Sequence, residues 1–172
     1  MRLLDVVLRA AQDWAVPQPL EAEGMRFACD VDLRPASPGS IAQLPYQPAA
    51  ELLELWQVAR SACLFRDTVY GQWGLQLIPP SDCAAETGDL RRSRPEEYFR
   101  GDLVVGRFLG ESELLLLRCN ENQGDYGTTV VALPIDGRKD WHFTGLSLGQ
   151  LASEFVASRG KKFWETPARP SP

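Results

Sequence analysis

The sequence predicts an α+β domain, an antiparallel or mixed sheet of about five to six strands flanked by α-helices. Three observations carry that reading. Apolar residues recur at helical spacing near both ends, at Leu3, Leu4, Val7, Leu8, Ala11 and Trp14 and again at Leu148, Leu151, Phe155 and Val156. Between residues 102 and 134, three apolar runs follow one another, the last of them β-branched at Thr128, Thr129, Val130 and Val131. They are separated by Gly110-Glu111-Ser112 and by an acidic, glycine-rich stretch from Asn120 to Gly127. Strands that succeed one another through such short connections, grouped between helices, pair antiparallel.

Taken in order, residues 2–14 form an amphipathic helix ended by Pro17 and Pro19. Residues 25–33 alternate, with Met25, Phe27, Cys29, Val31 and Leu33 on one face, and read as a half-buried strand. Residues 35–40 form a loop, the seam between an N-terminal extension (1–34) and the main body (35–160). Leu52, Leu53, Leu55, Trp56 and Ala59 place a helix over 49–62, with Pro48 in its first turn. Leu75 to Ile78 is a short buried strand stopped by Pro79-Pro80. Ser81 caps a polar helix from Asp82, which Gly88 ends or kinks, and residues 95–99 form a second short helix. Strands over 102–109, 113–119, 128–134 and 140–144 follow, then a helix capped by Ser147. Residues 161–172 are a proline-rich tail in which Phe163-Trp164 has the means to dock.

With 172 residues, 44% of them hydrophobic and 24% charged, the chain has the composition of one ordinary domain. Its net charge of −5 is uneven: residues 1–90 hold 6 basic and 12 acidic side chains, residues 91–172 hold 12 and 11. An acidic half argues against a nucleic-acid ligand and suits a basic protein partner. Cys29, Cys63, Cys83 and Cys119 lack metal-ligand spacing, and a single histidine does not complete such a site, so no metal and no cofactor are expected. Asp5, Arg9 and Asp13 interrupt any signal-peptide core, and no stretch approaches the roughly 18 apolar residues of a membrane span. The expectation is a cytoplasmic, reduced protein with no membrane association, a monomer or weak homodimer.

Chemistry-bearing patterns are few. His142, with Asp140 two residues before it on the same strand face, is the one catalytic seed, the basis of a small hydrolase-type reading, but no nucleophile accompanies it. The pairs Glu96-Glu97 and Glu111-Glu113 read as solvated faces, and Arg91-Arg92-Ser93-Arg94 as a solvated connection without aromatics for base stacking. Of five tryptophans, Trp14, Trp56 and Trp141 lie on apolar faces. Trp73, between glycines, and Trp164 are the better interface anchors. Charge and position single out Asp67, Trp73, Asp82, Glu86 and Asp89 as partner-binding residues.

The order of segments resembles the SUKH superfamily over about residues 37–158. The features that carry it are Ile41 to Pro45, Leu52 to Trp56, Gly74 to Pro80, Leu103 to Phe108, Leu114 to Leu117, Gly127 to Leu133 and Ser147 to Val156. The asparagine-glycine that commonly follows the family's first helix is missing around Ala62 to Phe65, and the segment before residue 35 lies outside its usual core. The resemblance implies a single α+β domain without enzymatic activity. In bacteria such proteins are mostly immunity proteins that bind and neutralise a cognate toxin, here a basic toxin domain; fungal relatives act as intracellular regulatory scaffolds.

Overall fold

The computed structural model describes residues 2–20 and 24–165. Its strands are Gln18–Pro19 (β1), Arg26–Asp32 (β2), Ser61–Asp67 (β3), Leu75–Leu77 (β4), Asp102–Phe108 (β5), Leu114–Arg118 (β6), Thr128–Ala132 (β7) and His142–Ser147 (β8). They form one sheet in sequence order, every neighbouring pair antiparallel. The helices are Leu3–Asp13 (α1), Pro38–Ala42 (α2), Ala50–Val58 (α3), Pro80–Ser93 (α4) and Leu148–Ala157 (α5). The α+β class and the antiparallel sheet hold; the strand number is eight rather than five to six.

The two additional strands are β1 and β3. Residues 59–65 leave the helix expected over 49–62 at Ala59, whose backbone is already extended, and enter β3. Ala62, Cys63, Leu64 and Phe65 are all buried, so both faces of this interior strand are apolar and its pattern carries no period of two. Ser37 caps α2 within the expected 35–40 loop by accepting from the Ser40 N–H at 3.2 Å. Pro79 rather than Ser81 caps α4, which runs through Gly88 to Ser93. Cys83 and Thr87 are buried, and that packing outweighs the ~1 kcal/mol helix penalty of one glycine. Residues 95–99 form turns instead of a helix. The backbone groups a helix would use are taken elsewhere: the Phe99 N–H donates to Asp102 at 2.7 Å, and the Glu97 carbonyl accepts from Arg138 at 2.8 Å.

Helices cover both faces of the sheet. Arg107 and Phe108 are successive residues of β5 and leave opposite faces; Arg107 meets Glu86 of α4, and the Phe108 ring lies 6.1 Å from Phe155 of α5. Helix α1 packs with α5 and α3 on the second face. Its buried residues Leu3, Val6, Val7 and Ala10 recur three and four apart, as one helix stripe requires. Residues 2–20 and 24–34 therefore share the core of the main body. Register shifts in β2–β3, β5–β6 and β7–β8 mark bulges that bend and twist the sheet.

At one end of the sheet Asp102 is fully buried between two arginines. Arg118 at the end of β6 and Arg138 in the loop before β8 both pair with its carboxylate, and Arg118 also reaches Asp125 at 2.9 Å. Asp102→Ala leaves two guanidinium groups without their shared partner and is expected to cost about 3–5 kcal/mol of folding stability. Guanidinium denaturation measures it, and a midpoint equal to the wild type would remove Asp102 from the centre of the fold.

Candidate functional site

The connection from β3 to β4 turns sharply because its residues bond inward. Asp67, fully buried, accepts from the backbone N–H of Val69 and of Tyr70, each at 3.0 Å, and from Arg26 at 3.4 Å. This leaves Val69 and Tyr70 exposed at the tip. Gly74 follows with φ +95°, and a β-carbon there would lie 2.6 Å from the Leu64 carbonyl oxygen, so only glycine fits.

Trp73, beside it, also has a left-handed backbone, φ +66°. Its N–H donates to the Leu109 carbonyl at 2.7 Å and its indole N–H to the Gly160 carbonyl at 3.0 Å. Gly160 ends α5 in a Schellman turn: its N–H bonds to Phe155 O at 2.8 Å, and the Arg159 N–H to Val156 O at 3.0 Å. Arg159, φ +55°, occupies the left-handed position that glycine normally takes. Phe65, φ +56°, completes the junction, since a β-carbon on Gly160 would lie 2.9 Å from that of Phe65. Phe65, Trp73 and Arg159 are the non-glycine residues with positive φ among the described residues, and all three meet here. Such conformations cost of order 1 kcal/mol or more each and gather at binding and switch regions.

The junction borders a cleft of about 820 Å³. Leu20, Met25, Phe27 and Trp73 line it, together with Ala157 at the end of α5 and Arg159 and Lys161 just beyond it. A second groove of about 700 Å³ runs between residues 35–47 and Trp56, and none of its lining residues is charged. Among the described residues, strained backbone, a half-exposed tryptophan and charged lining side chains come together at the first.

Of the five residues singled out from the sequence, Trp73 lies at this cleft. Asp67 shapes the tip from beneath, and its buried carboxylate faces no partner. Asp82, Glu86 and Asp89 share one side of α4, on the other face of the sheet. There Arg107 pairs with Glu86 and approaches Asp82 at 3.6 Å, and Asp89 pairs with Arg92. The five do not form one surface. Arg159 lies three residues past Val156, the last apolar position of the helical pattern; the local signal for it is the arginine-glycine pair shortly after that helix.

The remaining constellations dissolve in three dimensions. Asp140 closes a 3-10 turn, Arg138–Asp140, ahead of β8, and no hydrogen bond joins it to the exposed His142. Among the described residues no cluster of histidine, cysteine and carboxylate has the geometry for a metal ion. No helix in the described residues is long and apolar enough to cross a membrane. Glu111 and Glu113, expected on a solvated face, instead grip Lys162, and Glu113 is buried.

All four cysteines are buried free thiols, and burial pushes their pKa values up, Cys29 to about 11 and Cys63 and Cys119 to about 12. A raised pKa keeps the thiol neutral in the folded state, so a thiol-specific disulfide reagent at pH 8 is expected to leave all four untouched until denaturant is added. The folded state holds these protons more tightly than the unfolded chain. Stability is therefore expected to fall as pH rises above about 8.5, toward the folded-state values, in denaturation series at fixed salt. At the tip, Asp67→Ala leaves two N–H groups unpaired and is expected to cost about 1–3 kcal/mol, read in the same denaturation assay.

No family model and no curated protein matches the chain.

Proposed function

We propose that this chain is a non-enzymatic protein-binding domain, an immunity protein that neutralises a cognate bacterial toxin by occupying it. The observation that carries the reading is the cleft beside Trp73, where three strained backbones hold a half-exposed tryptophan against the end of α5. Strain kept at a surface cleft beside a half-exposed tryptophan fits a recognition site. The SUKH-like order of segments supports the immunity role. The chain's net charge of −5 supports a basic toxin domain as partner, since the overall field draws such a protein in before short-range contacts form. A regulatory scaffold of the same fold is the second reading, favoured by the separate apolar groove at Trp56, which offers room for another partner.

The test is capture of the partner by tagged wild type and Trp73→Ala from a lysate of the source organism, washed at low and high salt, followed by co-expression of the captured protein. One stoichiometric partner, toxic when expressed alone and harmless beside the wild type, is the expected result. Trp73→Ala is expected to weaken binding by roughly 30-fold or more, the effect of losing an interface anchor. A captured protein whose toxicity the wild type does not relieve would overturn the immunity role. Equal affinity of Trp73→Ala would overturn the cleft as its site.

A further inference from the structure

We propose that residues 158–165, the segment after α5, form a strap that opens and closes as one unit, with Lys162 as its latch and the Trp73 cleft built only when it is closed. The opening stands apart from the protein-binding reading above; its consequence for binding rests on that reading.

The strap makes its backbone bonds locally. The Ser158 hydroxyl lies 3.1 Å from the Phe155 carbonyl oxygen and 3.0 Å from that of Lys161. The N–H groups of Phe163 and Glu165 donate to the carbonyls of Lys161 and Lys162 at 3.0 and 3.2 Å, within and ahead of a single 3-10 turn. Among the described residues no backbone–backbone hydrogen bond joins 161–165 to the rest of the fold. Side chains attach it instead. The Trp73 indole N–H donates to Gly160, and the Trp164 ring lies 5.0 Å from Phe108 and 6.2 Å from Phe155. Lys162 reaches Glu111 and Glu113 in the β5–β6 connection and lies 3.5 Å from Glu165. A segment attached in this way, with no shared ladder or helix, opens at lower cost than the strands beneath it.

Lys162 is the latch because of what surrounds it. Its side chain is 15% exposed and that of Glu113 10%, so water screens this pair poorly. One ammonium there answers three carboxylates. Without it, Glu111, Glu113 and Glu165 repel one another across a partly buried gap, and the strap is driven from the turn.

Strain at the junction pushes the same way. Trp73 and Arg159 keep left-handed backbones, φ +66° and +55°, which persist only while their surroundings enforce them. Opening withdraws the Gly160 carbonyl from Trp73 and undoes the turn at Arg159, so both residues relax. An ion cluster and a ring stack thus hold the strap closed against stored strain, and Lys162 biases the two states. Ser158, Arg159 and Lys161 line the cleft with Trp73, so closure completes it and opening dismantles it. Opening also uncovers Phe108 and Phe155, which are 4% and 1% exposed.

Native-state hydrogen exchange followed by NMR tests this without any partner, so its outcome is separate from that of the protein-binding reading. The amides of 158–165 and the Trp73 indole N–H are expected to exchange as one set, little affected by low denaturant, whereas the core amides of β5–β7 respond steeply. Lys162→Met keeps the apolar stem and is expected to speed that set by about tenfold or more, leaving the β5–β7 amides unchanged. Lys162→Arg keeps the charge and is expected to stay within about threefold of the wild type. Trp73→Phe, which lacks the indole donor, is expected to speed the strap amides as well. Exchange of 158–165 only through global unfolding, or a Trp73 indole N–H that Lys162→Met leaves unchanged, would overturn the inference. So would strap amides that Trp73→Phe does not affect. A Lys162→Met chain whose β5–β7 amides speed up as much as the strap would overturn it too, since the whole fold would then have loosened.

Discussion

Asp102 begins β5 with no exposure to solvent, and three parts of the chain distant in sequence are tied to its carboxylate. The turn at Phe99 donates its N–H, Arg118 brings the end of β6, and Arg138 brings the loop between β7 and β8. A buried carboxylate is tolerated only when its lone pairs are filled and its charge is matched, because desolvation costs several kcal/mol per ion. Two arginines overcompensate one carboxylate, and Asp125 on Arg118 restores the balance. The guanidinium of Arg138 is also enclosed by rings, 4.1 Å from the centre of Phe99, 5.2 Å from Trp141 and 5.5 Å from Phe143. Each bond has little slack, so the sheet's register at β5–β6 and the approach to β8 depend on one another through this group.

The opposite region of the fold stores strain instead of charge. Beneath the cleft, Trp14 lies 4.8 Å from Phe65, Phe65 lies 6.1 Å from Phe155, and Phe108 packs against both Phe155 and Trp164. This aromatic layer holds Phe65 and the end of α5 rigidly enough to offset unfavourable backbone angles above it. The segment after α5 is fastened across the β5–β6 turn by Lys162, which reaches Glu111, Glu113 and Glu165. The Trp73 indole N–H then closes the junction on Gly160. A rigid platform with a preset indole loses little conformational entropy on binding, which is why the cleft suits recognition.

Surface charge is organised locally rather than as one acidic face. The carboxylates on α4 are answered by Arg107 and Arg92, and those on β2 by Arg34, Arg60 and Arg66. Exposed pairs of this kind add little stability, but they cancel the field that a row of acids would otherwise project. What remains is a long-range negative bias and a few unanswered side chains, Arg159 among them.

How much was legible in the sequence depended on whether a signal was local. The helical nature of α1, the stripe of α5, the Ser147 capping box, β2 and the β5–β7 succession are readable because side-chain period, cap and turn chemistry act within a few residues; the buried face of α1 is Leu3, Val6, Val7 and Ala10, and Leu8, expected on it, is exposed. Trp73 stood out for the same reason, a large ring between two glycines. Strand β3 was not readable, because burial on both faces erases its alternation, and the 95–99 turn was not, because Asp102 and Arg138 capture its backbone from far along the chain. Asp67 looked like surface charge, yet the packing of the hairpin buries it and gives its oxygens to the tip. Arg159 became meaningful only once α5, β3 and the Trp73 hairpin were brought together. By itself the sequence determined which segments form helices and strands wherever the pattern was local. Only the tertiary structure decided which charges are buried, which are cancelled, and where strain collects, because those depend on what each residue meets across the fold.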